Sequence, residues 1–205
     1  NAERILSLIN QMMDLRKIDK GQMQMRMRET NLVAFVKDIY NLFDNQAKAK
    51  QITFLFNHDS EEIPVWIDRQ NFDKVFMNVL SNAFKYTPTG GEIGIRLTHN
   101  AESATIAIYD NGEGIPEDKI NKIFDRFYQT PTSVNDRYVG TGIGLDLTRS
   151  LVELHHGTIT VHNLEKGCEF VINIPMGNSH LNPDEILLED DNTDTTTPEL
   201  MLEAP

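Results

Sequence analysis

Asn78, Asn82 and Lys85 recur at steps of four and three in the stretch "NVLSNAFKYT". On a helix advancing about 100° per residue, they fall in one narrow polar stripe. An Asn carbonyl oxygen is the hard kind of ligand that magnesium takes, alongside phosphate oxygens and waters. Lys85, one turn beyond Asn82, can reach a phosphate. "DNGEGIP" places Asp110, Gly112 and Gly114 at the end of an alternating segment, and "GTGIGL" places Gly140, Gly142 and Gly144 at the start of a helical pattern. Glycines there let backbone N–H groups approach an anion, and a helix N-terminus adds positive potential. An aspartate at a strand end can accept a hydrogen bond from an exocyclic amine such as that of adenine. The stripe and both loops could therefore surround one Mg–nucleotide. Either loop alone reads as an ordinary turn. A dinucleotide-binding fingerprint fails because polar loop, not strand, precedes Gly140. A P-loop fails because no Gly-Lys-Ser/Thr is present.

These groups need elements to hold them. Beside the polar stripe, Phe72, Val75, Phe76, Val79, Leu80 and Ala83 recur at three- and four-residue steps, which predicts an amphipathic helix over 69–86 with Asp68 as N-cap. Leu32, Phe35, Val36, Ile39 and Phe43 predict another. "ITFLFNH" and "VWID" read as strands around a turn at 59–64. "EIGIRLTHN" and "SATIAIYD" read as an antiparallel hairpin, and "GTITVHN" and "GCEFVINIP" as a second one. A helix is expected over 143–155. The polar excursion from Asn111 to Gly142 is too long for a plain connection in a compact domain, and Gln129 to Val139 is expected to be a mobile lid. Upstream, Ile5, Leu8, Met12 and Leu15 form an a/d seam widened by Ile9 and Met13. Met23, Met25 and Met27 then alternate with polar residues, as in a half-buried strand.

The 205 residues suit one sizeable domain with appendages. A single cysteine, Cys168, excludes a disulfide framework. No apolar run approaches the roughly 20 residues of a membrane span. The net charge is −12, of which the stretch from Asn178 to Pro205 carries −8 with no Lys or Arg. Without excess basic charge, a nucleic-acid surface is not expected. After Pro175 the apolar periodicity stops, and 178–205 reads as an acidic, disordered linker.

"NVLSNAFKYT", "DNGEGIP", "IFDRFYQ" and "GTGIGLDLTRSLVELHHG" resemble, in order and spacing, the N, G1, F and G2 boxes of sensor histidine kinases. The resemblance implies a two-layer α/β sandwich of mixed β-sheet packed against helices, with an N-terminal amphipathic helix. It implies residues 1–29 as the second half of a dimerisation and phosphoacceptor domain, and 30–177 as an ATP-binding catalytic domain. By the same resemblance Asn82 ligates Mg2+, with Asn78 near the metal and phosphates. Lys85 and Tyr86 contact phosphate and nucleotide, and Asp110 recognises adenine. Gly112, Gly114, Gly140, Gly142 and Gly144 edge the lid, with Ile115, Thr141, Ile143 and Leu145 flanking them. Phe124, Arg126 and Phe127 belong to the lid. The N-terminal stretch most resembles hybrid members, which carry a receiver domain downstream. The implied partners are ATP, a phosphoacceptor helix and a response-regulator receiver, and the implied location is the cytoplasmic part of a membrane-anchored sensor. One departure is His156, where these kinases usually have glycine.

Taken singly, each residue has an ordinary reading: a solvated amide, a surface charge, a packed ring. Gyrase-type ATPases share the pattern but carry Glu four residues before the Mg asparagine, to activate water. Here Asn78 stands there, and an amide has no useful basicity. Phosphoryl transfer is thus expected over hydrolysis; a non-catalytic nucleotide sensor would be expected to lose boxes. No histidine of the six follows the acceptor pattern of these kinases on a bundle helix, so the acceptor and its acidic base are expected outside this chain.

Overall fold

The computed structural model describes residues 2–128 and 142–187. Helix α1 (Ala2–Asp19) leads through a connector into β1 (Arg28–Asn31), followed by α2 (Leu32–Ala49), β2 (Thr53–His58), β3 (Pro64–Ile67) and α3 (Arg69–Tyr86). Strands β4 (Glu92–His99) and β5 (Ser103–Asp110) come next, then α4 (Gly144–Leu154), β6 (Thr158–Asn163) and β7 (Cys168–Pro175). Five strands form one sheet in the order β2-β4-β5-β7-β6. Only β2 and β4 are parallel; the other neighbours are antiparallel. Strands β1 and β3 form a separate antiparallel pair.

Local chemistry explains these elements. The Asn31 side chain accepts the Val33 N–H at 3.1 Å, and the Asp68 carboxylate accepts the Asn71 N–H at 3.1 Å. Caps of this type contribute about 1 kcal/mol each. Helix α2 buries Leu32, Phe35, Val36, Ile39 and Phe43, while α3 buries Phe72, Val75, Phe76, Val79 and Leu80. Their rings meet at Phe35–Phe76 (centroids 6.0 Å apart, edge-on) and Phe72–Phe76 (5.7 Å). The inward residues Ile93, Ile95, Leu97, Ile106, Ile108, Phe170, Ile172 and Ile174 complete a single core.

Several expectations change. Strands β2 and β3 flank one turn but join different sheets. Strand β1 begins at Arg28 and spans the expected boundary at 29/30; the strand expected through Met23, Met25 and Met27 is instead an irregular connector, in which Met25 and Met27 are buried. The described fold also continues past 177, to residue 187: Ile186 bridges Met27, and Val65 bridges Met176. Main-chain bonding needs no side-chain periodicity, so this docking left no pattern to read.

Helix α1 packs Leu15 into the core and half-buries Leu8 and Ile18, whereas Ile5, Ile9, Met12 and Met13 are exposed. No helix among the described residues is long and apolar enough to cross a membrane.

Candidate functional site

The polar stripe of α3 lies against the start of α4. The Asn78 Nδ2 donates to the Gly144 carbonyl at 3.1 Å and to Thr148 Oγ1 at 3.3 Å, and Thr148 Oγ1 donates to the same carbonyl at 2.8 Å. Asn78 therefore spends its donor on joining two helices. One turn on, Asn82 is half-buried and its amide has no hydrogen-bond partner among the described residues. Lys85 is half-buried too, with Nζ 4.9 Å from the centroid of the exposed Tyr86 ring.

The loop after β5 closes against the end of α3. A Cβ on Gly112 would stand 2.6 Å from the Tyr86 carbonyl oxygen and 2.9 Å from Asp110 Oδ1. Asp110 is only 5% exposed. Its Oδ1 accepts the Gly112 N–H at 2.8 Å, and its Oδ2 accepts the Cys168 S–H at 3.4 Å. Burial pushes this carboxyl above the ordinary range, while those two donors pull the other way. The Cys168 backbone N–H is a third donor beside them, so the four lone-pair sites of the carboxylate keep at least one acceptor position. Burial likewise pushes the Cys168 thiol up, and the neighbouring Asp110 charge adds to it.

Asn163, at the end of β6, holds the same loop. Its Oδ1 accepts the Ile115 N–H at 2.8 Å and its Nδ2 donates to the Ile115 carbonyl at 2.6 Å. Neighbouring Gly114 has φ +74°, and Ile115 is half-buried. Sequence reasoning passed over Asn163 as a site residue, and also Gly167 in the adjoining turn and Cys168 at the start of β7. The available signal was a glycine and an amide flanking a hairpin directly after an apolar strand.

The two ends of the long excursion also meet. Phe127 N–H donates to the Gly142 carbonyl at 2.8 Å. Gly142 has φ +68°, and a Cβ there would stand 2.7 Å from the Phe127 carbonyl carbon, so only glycine fits without displacement. Phe127 itself has φ +63° and is 63% exposed. Gly140, Thr141 and the expected lid, 129–139, lie outside the described residues.

Four of the sequence-derived residues are engaged by the protein's own core or carboxylates. Phe124 is buried, edge-on to Phe170 at 6.2 Å, and Ile143 is buried in the same core. Leu145 is half-buried against that core. Arg126 is taken up by carboxylates: Nε donates to Asp146 Oδ2 at 2.7 Å, while Nη1 and Nη2 grip Asp19 at 2.8 and 3.0 Å. These bonds to Asp19 and then Asp146 push the guanidinium pKa up, and the Arg126 bond holds the Asp19 carboxyl below its ordinary value. Arg126 thus ties the base of the excursion to both α4 and the end of α1. A second tie is Lys74 to Asp14, 2.7 Å.

The histidines are placed outside α1. His155 is 1% exposed; its Nδ1–H donates to the Leu151 carbonyl at 2.7 Å and its Nε2 accepts the Asp68 N–H at 3.1 Å. Burial holds it below the usual imidazole pKa, so it is neutral and structural. His156 has φ +59°, the conformation that the glycine usual in the resembling kinases adopts freely.

A half-buried amide, a buried carboxylate with an acceptor position left, a lysine and a glycine-lined backbone suit an adenine nucleotide with a hard cation. Comparisons with known proteins identify the fold and the family. "Histidine kinase P4" of Formosa agariphila is 39% identical over 191 residues, covering 91% of this chain and 14% of its own length. The catalytic domain of histidine kinase ThkA superposes with a TM-score of 0.67 at 32% identity, covering 74% of this chain and 96% of that domain. ThkA in complex with the response regulator TrrA gives a TM-score of 0.69 at 26% identity, covering 86% of this chain and 50% of that one. This chain therefore spans a small part of the curated relative. The profile described as "Histidine kinase-, DNA gyrase B-, and HSP90-like ATPase" matches residues 67–178, and the chain belongs to that family.

Proposed function

We propose that this chain is the ATP-binding catalytic portion of a sensor histidine kinase, which passes the γ-phosphoryl group of ATP to a histidine outside the chain. The observation that carries this reading is Asn78. It occupies the position where a hydrolase needs a base, and its Nδ2 is committed to Gly144 and Thr148. No group there can activate water. Asn82, free of other partners among the described residues, offers its carbonyl oxygen to Mg2+. Lys85 meets phosphate, Tyr86 contacts the nucleotide, and Asp110 takes the adenine amine. The Gly112–Ile115 and Gly140–Leu145 backbones edge the phosphates, and Phe124, Arg126 and Phe127 anchor the lid. Bound Mg2+ would neutralise phosphate charge during transfer. Residues 1–29 serve as the second half of the dimerisation domain. The receiver of a response regulator is the downstream partner, as the ThkA–TrrA complex supports. The whole protein is a membrane-anchored sensor of hybrid type, with this portion in the cytoplasm.

Calorimetry should give ATP binding that strengthens with Mg2+, and Asn82→Ala should remove most of that increment. Equal ATP affinity with and without Mg2+ in the parent chain would refute the metal role.

The same reading predicts that the fragment does not label itself. None of its six histidines lies on α1, and the one with a neutral, buried ring, His155, already uses both nitrogens. Incubation with radiolabelled Mg–ATP should leave no acid-labile phosphohistidine. Adding the missing first bundle helix should give slow labelling in trans, because docking is no longer intramolecular. Label on any histidine of the fragment alone would overturn the assignment.

A further inference from the structure

Residues past β7 turn back onto the catalytic body. Leu181 N–H donates to the Asn178 carbonyl at 3.0 Å, and Asn182 then starts a short 3-10 turn, Pro183–Glu185. Glu185 divides its carboxylate. Oε2 accepts the Asn182 N–H at 2.7 Å, while Oε1 lies 3.3 Å from His156 Nε2, just past the end of α4. The His180 ring sits edge-on to His156, 5.3 Å between centroids. From this anchor the backbone runs beside the connector between α1 and β1. Met27 N–H donates to the Glu185 carbonyl at 2.6 Å, and Leu187 N–H donates to the Met27 carbonyl at 2.8 Å. Ile186 bridges Met27 in the parallel sense.

The connector is gripped from its other side as well. Arg26 N–H donates to Asp68 Oδ2 at 3.0 Å, the same carboxylate that caps α3, and β1 pairs with β3. Met27 is fully buried between these partners. An extended segment that saturates both the N–H and the C=O of one buried residue is added strand, the mode by which peptides dock on sheet edges. Here its occupant is the chain's own C-terminal stretch.

We propose that residues 178–187 are a strap that fixes the α1–β1 connector to the catalytic body and can be released without unfolding that body. The strap hangs on two main-chain bonds, one carboxylate, the His180–His156 ring contact and three half-buried side chains, Leu181, Ile186 and Leu187, whereas the body rests on the full core. A partner that engages the acidic residues beyond 187 therefore pulls at a point one hydrogen bond from the connector. Detachment removes both main-chain bonds of Met27 and leaves the Arg26–Asp68 bond and the β1–β3 pairing in place.

The test is native-state hydrogen exchange on the 205-residue chain and two variants. Leu187→Pro removes the N–H that donates to Met27. Ile186, which would precede the new proline, already has φ −88° and ψ 124°, the extended conformation that a residue before proline prefers. Glu185→Ala removes the Asn182 and His156 contacts instead. In both variants the Met27 amide should exchange at least ten times faster, while the Val79 amide in α3 keeps its protection. Unchanged protection of Met27 in both variants would overturn the strap. Equal acceleration at Val79 would overturn it too, since residues 178–187 would then be part of the cooperative core.

Discussion

Gly167→Ala is expected to lower stability by about 2–5 kcal/mol and to weaken nucleotide binding with it. The Cβ would stand 1.9 Å from the Asp110 carbonyl oxygen, 2.6 Å from its carbonyl carbon and 2.8 Å from Asn111 Cα. All three are backbone atoms, so no side-chain rotation relieves the clash. Gly167 also has φ +77°, which adds left-handed strain for any other residue. Relief requires parting the β6–β7 turn from the end of β5, where Asp110 is held. Gly90→Ala separates the two causes. Gly90 has a similar φ, +81°, but nothing lies within 4 Å of the added carbon. It should lose only the strain, about 1–2 kcal/mol. Thermal melts of the two variants, with ATP titrations at a temperature where both are folded, measure the difference. Equal losses would mean that the β6–β7 turn is not what seats Asp110.

Asp110→Asn is expected to separate the two quantities. Removing a buried acceptor from a ligand amine costs about 1–3 kcal/mol, or roughly 5- to 150-fold in affinity. The amide presents N–H where adenine also presents N–H. Stability should change far less than binding: the amide ends the cost of burying a charge, but turns one of the two oxygens that accept from Gly112 and Cys168 into a donor. Burial raises the Asp110 carboxyl pKa, so the folded state favours its neutral form. The sign follows: a carboxyl with a raised folded pKa detracts from stability above that pKa and stops doing so as the pH falls below the unfolded value. A neutral amide removes this cost at all pH values. Calorimetry with ATP and GTP, beside a melt, reads both effects. ATP affinity equal to the parent's, measured where the variant is folded, would sink the adenine role.

Much of the fold could be read from local pattern. Helix α3 runs from Arg69 to Tyr86 as its periodicity and the Asp68 cap indicate, and both expected hairpins form. Asp110 stands at a strand end, as "AIYDNG" implied. What stayed hidden was partnership across the chain. Strand β2 pairs in parallel with β4, Thr53 opposite Glu92, while β3 turns away to β1. Alternation tells which residues face inward, not which strand lies alongside. Arg126 read as part of a lid because its neighbours in sequence are "IFD" and "FYQ". Its partners, Asp19 and Asp146, are 107 and 20 residues away. Gly167 and Asn163 carry turn chemistry that any hairpin could show; what singles them out is their fit against the loop after β5.

The position of β7 bears on how the protein is made. This late strand lies between β5 and β6 rather than at a sheet edge. During vectorial synthesis, β5 therefore emerges with one side open, and it stays so until residues 168–175 leave the ribosome. The thiol that braces Asp110, and the turn that seats it, belong to the same late stretch. Ligand recognition is consequently assembled last, and nascent chains halted before Cys168 carry an uncovered β5 edge of the kind that recruits other strands. On the proposed role of Asp110, nucleotide would not rescue such chains, because that carboxylate would still lack its neighbours.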